Sequence, residues 1–248
     1  MSAVATAPVA EIFSSVQGEG LRLGERQIFV RFAGCPWRCD YCDTPMSLSE
    51  AGAPRLTTDD VLARIDALRA VDRPAGVSLT GGEPVLRADF LEILLPALKA
   101  RGLETHLETS ATHPALFAKI ARFCDVVAAD IKLPSAIGRD FWKEHRAFFG
   151  LAGAAAFAKV VLTSKTTHDE IDRVLDLLAG LTPVPPLFLQ PVTAIAALDG
   201  RLSNRTTASA EFIRPPSADR VAVFFKRARS RLPRVDLVPQ MHPVWGVP

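Results

Sequence analysis

Residues 28–42 read IFVRFAGCPWRCDYC: a short apolar run that ends in a turn carrying Cys35, Cys39 and Cys42. A run this short and this rich in Ile, Val and Phe is the pattern of a strand buried in a parallel sheet. The same pattern recurs at 76–80, 104–108, 126–130, 158–162, 187–190 and 235–238. Helical periodicity fills the intervals at 57–71, 88–101, 114–123, 168–178 and 218–230. Two of these helices carry start signals, because Thr57 precedes Asp60 and Thr167 precedes Glu170 by three positions, the spacing of a capping box. Alternating strands and helices imply right-handed crossovers and an α/β fold whose functional loops gather at the C-terminal ends of the strands. Cys35, Gly81, Thr109, Lys132 and Gln190 all follow a strand in this way.

The whole chain is consistent with this class. Its 248 residues suit one large α/β domain, and 48% hydrophobic with 23% charged residues is the balance of a globular protein. No apolar run reaches the roughly 20 residues that span a bilayer, and residues 1–10 lack a basic region followed by an apolar core. A cytoplasmic protein is expected, with no membrane partner. The net charge of +2 is mixed in sign, with a basic stretch at Lys226, Arg227, Arg229, Arg231 and Arg234. That stretch reads as a solvated helix face, RNA contact being the sharper alternative, and no nucleic-acid motif accompanies it. Residues 194–216 are polar and irregular and read as a long loop.

The cysteine array is C-x3-C-x2-C, with Cys124 far away in the chain. A disulfide framework wants an even number of cysteines in an oxidising compartment, so metal binding ranks above disulfides. Thiolates suit zinc or an iron–sulfur cluster, and structural zinc closes its tetrahedron with a fourth protein ligand. Three clustered ligands leave one position open. Cys124 lies between a helix and a buried-looking strand, where a small apolar core residue is expected; a zinc site closed by Cys124 is the alternative.

C-x3-C-x2-C resembles the signature of the radical S-adenosylmethionine (SAM) superfamily, and GGEP at 81–84, between strand and helix, resembles its SAM-binding motif. Gly81 and Gly82 let backbone approach a ligand, and Glu83 offers an acceptor to the methionine ammonium. The elements ETS, DIKLPS, AKVVL and FLQP, at 108–110, 130–135, 158–162 and 188–191, follow in order. The resemblance implies a four-iron four-sulfur cluster on Cys35, Cys39 and Cys42. It also implies SAM contacts from Thr109, Ser110, Lys132 and Ser135, with Gln190 near the adenosine. Ala111 stands where the pattern expects glycine. The implied fold is an incomplete (β/α) barrel of about six core parallel strands.

EIFSSVQGEG at 11–20, FVRFAGCPWRC, CDT at 42–44 and the ending MHPVWGVP narrow the resemblance to the 7-carboxy-7-deazaguanine synthase family of the queuosine and deazapurine pathway. This family resemblance covers most of the chain and implies a radical ring contraction of 6-carboxy-5,6,7,8-tetrahydropterin with loss of ammonia. Gln17, Glu19 and Arg31 would meet the substrate, joined by His242 and the carboxylate of Pro248. Arg31 pairing with Asp40, and His242 lying exposed, are the structural alternatives. Thr44 would be a Mg2+ ligand, with Asp43 either assisting or capping a turn. The resemblance further implies an external one-electron donor such as flavodoxin or ferredoxin, and a homodimer. It implies an N-terminal substrate-binding extension at 1–27 and a C-terminal segment at 235–248 that closes the site. A radical SAM activase making a glycyl radical on a partner protein, and a non-catalytic metal-binding scaffold, are the competing functions.

Overall fold

The computed structural model describes residues 5–193 and 214–247. Within them one nine-stranded sheet runs in the order β3-β1-β2-β4-β5-β6-β7-β8-β9. The strands are β1 (Thr6–Val16), β2 (Arg26–Phe32), β3 (Arg55–Thr57), β4 (Gly76–Gly81), β5 (Glu104–Thr109), β6 (Val126–Asp130), β7 (Ala156–Leu162), β8 (Leu187–Pro191) and β9 (Val235–Leu237). From β2 through β9 every neighbouring pair is parallel, and β1 pairs antiparallel with both β2 and β3. The strand order does not return to its start, so the sheet is an open, incomplete barrel. Its parallel run holds seven strands where about six were expected, β9 being the addition.

The helices are α1 (Thr58–Asp72), α2 (Ala88–Ala100), α3 (Pro114–Ile120), α4 (Pro134–Ile137), α5 (Trp142–Ala152), α6 (His168–Ala179), α7 (Ala218–Arg229) and α8 (His242–Trp245). Both expected capping boxes form: Thr57 with Asp60 starts α1, and Thr167 with Glu170 starts α6. Each satisfies backbone N–H groups that a helix start leaves without partners. The helix α5 was not legible in the sequence, and its N-cap Phe141 makes no side-chain capping bond. The strand β1 was likewise missed. Its burial does not alternate cleanly, and a register shift interrupts its pairing between Val9 and Glu11. The expected N-terminal extension is therefore, from Thr6 to Val16, part of the sheet.

The period of two along a strand sorts the two faces of the sheet. Ile28, Val30, Val77, Leu79, Leu107, Val127, Ala129, Ala158, Val160, Leu187 and Leu189 join the main core beneath the helices. The residues between them face the concave side. There Val126, Ala128, Phe157 and Phe188 form a small apolar cluster, Phe29 and Val161 are further apolar inward positions, and polar side chains occupy most of the rest. They are Gln27 and Arg31 on β2, Ser78 and Thr80 on β4, His106 and Glu108 on β5, Asp130 on β6, Lys159 on β7 and Gln190 on β8. This polar inner face, set within otherwise apolar strands, is what the fold offers to a ligand.

The basic stretch near the C-terminal end packs α7 against α6. Arg227 pairs with Asp172, Arg231 with Asp176, and Arg234 with Asp236. Three of the five positive charges of this stretch thus meet carboxylates of the same chain, and Arg229 lies over the Phe225 ring.

Candidate active site

The cysteine loop is strapped to the GGEP turn by backbone. Gly82 N–H donates to the Phe32 carbonyl at 2.9 Å and Glu83 N–H to the Gly34 carbonyl at 3.0 Å. Gly81 has φ +115°, and a Cβ there would strike the Phe32 backbone; at Gly82 it would strike the Gly34 carbonyl. The missing side chains thus permit close approach of one protein backbone to another, besides any approach to a ligand. Gly34 and Cys35 N–H groups also reach the carbonyls of Ser47 and Leu48, closing the loop at its far end.

Cys35, Cys39 and Cys42 line a single cavity on the concave face. They stand as thiols, partly exposed. Burial pushes the Cys35 thiol up to about 11 and raises Cys39 as well. Thiolates held in such surroundings call for a compensating cation. Among the described residues no group of His, Cys, Asp and Glu is arranged to hold one metal ion. A cluster takes each thiolate at a separate iron, and three soft donors on one loop facing a cavity fit that group. Cys124 is elsewhere, in the main core, its Sγ donating to the Ile120 carbonyl at 3.6 Å.

Next to the cysteines, the buried Glu83 accepts from Val85 N–H at 3.1 Å, Thr109 Oγ1 at 2.7 Å and Ser110 N–H at 2.8 Å, and from the Ser110 hydroxyl. GGEP and ETS are therefore one hydrogen-bonded unit. Ala111 follows with φ +54°, the left-handed conformation in which glycine is ordinarily preferred. This answers the departure noted in the sequence: the backbone takes up the glycine conformation with an alanine in place.

A chain of alternating charges crosses the cavity floor. Glu19 accepts from Lys159 Nζ at 2.7 Å and from Gln190 Nε2 at 3.0 Å. Lys159 lies 3.5 Å from Asp130 Oδ2, to which Lys132 Nζ donates at 2.9 Å; Lys132 in turn reaches the Tyr41 hydroxyl at 3.4 Å. Burial works to raise the Glu19 pKa, yet the Lys159 ammonium holds it below its ordinary value. Burial works to lower Lys159, and the carboxylates of Glu19 and Asp130 more than offset that, raising it. Glu19 is thus an anion in a water-poor site, which is how a carboxylate becomes a strong acceptor.

Deeper in the cavity Gln17 donates to Glu108 Oε1 at 2.8 Å, and Ser78 and Thr80 hydroxyls add bonds of 2.7 and 2.8 Å to the same carboxylate. Burial lowers the pKa of the neighbouring His106, its Nδ1 lying 3.3 Å from Gln27 Oε1.

Gln17, Glu19, Arg31, Thr44, Gly81, Gly82, Glu83, Thr109, Ser110, Lys132, Gln190 and His242 all line the cysteine cavity. Arg31 faces Glu11, at 3.4 Å, and sits over the Phe13 ring; Asp40 is taken by Lys165. The Arg31–Asp40 alternative is thereby corrected. Ser135 is not among the lining residues; its N–H donates to Glu170 at 2.7 Å and its hydroxyl is buried on the α4 turn. Asp43 is held by Gln240 at 2.9 Å, and His242 stands 3.9 Å from it and 4.0 Å from Glu19. Pro248 and residues 194–213 lie outside the described residues. Sequence reasoning missed Lys159, Asp130, Glu108, His106, Tyr41 and Gln240 as cavity residues. The signal for the first four was a polar side chain at an inward position of an apolar strand.

Comparison with known proteins agrees with this arrangement. Residues 29–148 match the Radical SAM superfamily. The chain is 39% identical over 211 residues to a protein of Geobacter sulfurreducens named 7-carboxy-7-deazaguanine synthase, covering 75% of this chain and 82% of that one. It is 38% identical to a protein of the same name from Methanopyrus kandleri, covering 75% and 81%. Among solved structures, QueE from Escherichia coli has a TM-score of 0.62 at 22% identity, over 94% of this chain and 93% of that one. A radical SAM methyltransferase from Sphaerobacter thermophilus reaches 0.63 at 16% identity, over 94% and 77%. At these identities the two structures speak to the fold.

Proposed function

The chain belongs to the 7-carboxy-7-deazaguanine synthase family of radical SAM enzymes, and from that premise we propose that it contracts the ring of 6-carboxy-5,6,7,8-tetrahydropterin to 7-carboxy-7-deazaguanine with loss of ammonia. The observation that carries the reading is the single cavity that joins the three cysteines to an anionic Glu19 and to Arg31. Cys35, Cys39 and Cys42 would hold the four-iron four-sulfur cluster, which, when bound together with SAM, supplies the radical chemistry.

The remaining work falls to the chain's own groups. Glu19, fixed by Lys159 and Gln190, accepts from the N–H edge of the pterin, and Gln17 flanks it. The planar fork of Arg31 suits the substrate carboxylate. Lys132, Thr109, Ser110 and Gln190 bind SAM around the GGEP turn. Thr44, on the cavity wall beside Asp43, offers hard oxygen donors for Mg2+, which would orient the carboxylate of the substrate. Ala128, Phe157 and Val161 give the cavity an apolar lining that keeps water from a reactive intermediate. His242, on the cavity wall, meets the pterin. The reductant is an external one-electron carrier such as flavodoxin or ferredoxin, the working unit a homodimer in the cytoplasm, and the product feeds queuosine and other deazapurine synthesis for tRNA modification. No helix among the described residues is long and apolar enough to cross a membrane.

Glu19→Gln tests the substrate assignment. Losing the charged acceptor should raise KM for the pterin at least tenfold, the size of one charge-assisted hydrogen bond. SAM binding should stay within about threefold of wild type, since the substitution spares the GGEP unit. An unchanged pterin KM would remove Glu19 from the substrate site.

A further inference from the structure

We propose that His106 is a specificity-determining residue of the substrate site, its Nε2 accepting a hydrogen bond from the 2-amino group of the bound pterin. This deepens and rests on the function proposed above, adding a contact beside those of Glu19 and Arg31. His106 lies on β5, is 1% exposed, and lines the cavity. Register pairs Arg31 with Thr80, Phe29 with Ser78 and Ser78 with His106. His106 thus sits one inward layer beneath Arg31, about 7 Å deeper at two residues of strand rise. The 2-amino group stands at the opposite end of the pterin bicycle from the 6-carboxylate. A pterin whose carboxylate meets Arg31, near the C-terminal end of β2, therefore turns its amino end toward the layer of His106.

The position of the proton on this ring follows from its neighbours, link by link. Burial works to raise the Glu108 pKa, yet the charges and donors around it hold it below its ordinary value, so Glu108 is a carboxylate and only accepts. Gln17 must then present its NH2 to Glu108 Oε1, at 2.8 Å, and its carbonyl oxygen to the Glu19 N–H, at 3.1 Å. The same NH2 lies 3.3 Å from Gln27, which answers with its own carbonyl oxygen. That oxygen faces His106 Nδ1 at 3.3 Å, so Nδ1 carries the proton. Turning the Gln27 amide over would set its NH2 against that of Gln17. Burial lowers the His106 pKa and keeps the ring neutral, which leaves Nε2 with a lone pair. Nε2 is buried and has no hydrogen-bond partner among the described residues. A buried acceptor left bare is costly, and an N–H of a ligand in the cavity completes it.

The test titrates reconstituted holoenzyme by calorimetry, anaerobically and without reductant, so that nothing turns over. The two probes are 6-carboxy-5,6,7,8-tetrahydropterin and 6-carboxy-5,6,7,8-tetrahydrolumazine, which carries a 2-oxo group in place of the 2-amino group. Wild type should prefer the pterin by about tenfold or more, because the lumazine sets an oxygen against the Nε2 lone pair. His106→Asn keeps a donor near the place of Nδ1 and removes the acceptor. It should bring the two affinities within about threefold of each other and leave SAM affinity within about threefold of wild type. His106→Gln carries a carbonyl oxygen out to the place of Nε2 and should restore the preference. An asparagine variant that keeps the wild-type preference, or a glutamine variant that loses it as fully as asparagine does, overturns the proposal. Should the asparagine variant fail to fold, His106→Leu, which fills the place of the ring without an acceptor, is read by the same criteria. A wild type that binds both probes equally overturns the His106 contact and leaves the substrate assignment standing; a wild type that does not bind the pterin defeats both.

Discussion

Ala111 has φ +54° and is fully buried, directly after the Ser110 that holds Glu83. A left-handed alanine costs about 1 kcal/mol, while its buried methyl contributes about 0.8 kcal/mol. Ala111→Gly should therefore change stability by less than about 1 kcal/mol, and Ala111→Val, branched at Cβ in a filled site, should lose about 2 kcal/mol or more. Urea unfolding of the two variants checks both numbers. His145 is the other residue with a sharp expectation. It is fully buried, Lys132 N–H donates to its Nε2 at 3.2 Å, and burial depresses its pKa from 6.5 to about 4. The unfolded chain takes up this proton near 6.5 and the folded chain only near 4. Between those values the unfolded state binds more protons, so stability falls as pH drops from about 7 toward 4. At full loss the contribution is roughly 3 kcal/mol. Replacing His145 with Gln should shrink the difference in unfolding free energy between pH 7 and pH 4.5 by most of that amount; an undiminished difference would mean that His145 is not the group responsible. At this scale the sequence was most legible where a residue type has one use, as with three clustered thiols. It was least legible for Lys159, Glu108 and His106, whose partners Glu19, Ser78, Thr80 and Gln27 are distant in the chain and become neighbours only through the fold.

The capping box that opens α6 also anchors the turn after β6. Glu170 accepts from Thr167 N–H at 2.8 Å through one oxygen and from Ser135 N–H at 2.7 Å through the other. Thr167→Ala should cost about 1 kcal/mol, the usual worth of an N-cap. Glu170→Ala removes the partner of both N–H groups and should cost about 2 kcal/mol or more. Equal losses in the two variants, measured by urea unfolding, would show that the contact with Ser135 contributes nothing. Ser135 thus has a structural account of its own, apart from the role the resemblance implied. Elements with local signals were readable: α1 and α6 from their boxes, and the central strands from their apolar runs. The helix α5 lacked a capping signal, and β1 lacked clean alternation because it is bulged and lies between β2 and the short β3.

Across the molecule, one rule places the site. Parallel strands send one set of apolar side chains outward to the helices and carry most of their polar side chains inward beside a small apolar cluster, and the loops at their C-terminal ends bring the cysteines and GGEP over that inner face. The α/β class followed from alternation of elements alone, whereas the strand order, the two antiparallel additions and the open edge depend on pairings between distant segments. The central claim is that this cavity converts a carboxylated tetrahydropterin by radical chemistry launched from Cys35, Cys39 and Cys42. The direct measurement is anaerobic incubation of reconstituted protein with dithionite, SAM, Mg2+ and 6-carboxy-5,6,7,8-tetrahydropterin, following 7-carboxy-7-deazaguanine and 5'-deoxyadenosine by mass spectrometry beside a Cys39→Ala control. The account predicts both products from wild type and neither from the variant. Formation of 5'-deoxyadenosine without 7-carboxy-7-deazaguanine would contradict the substrate assignment, and absence of both from protein with a loaded cluster would contradict the chemistry itself.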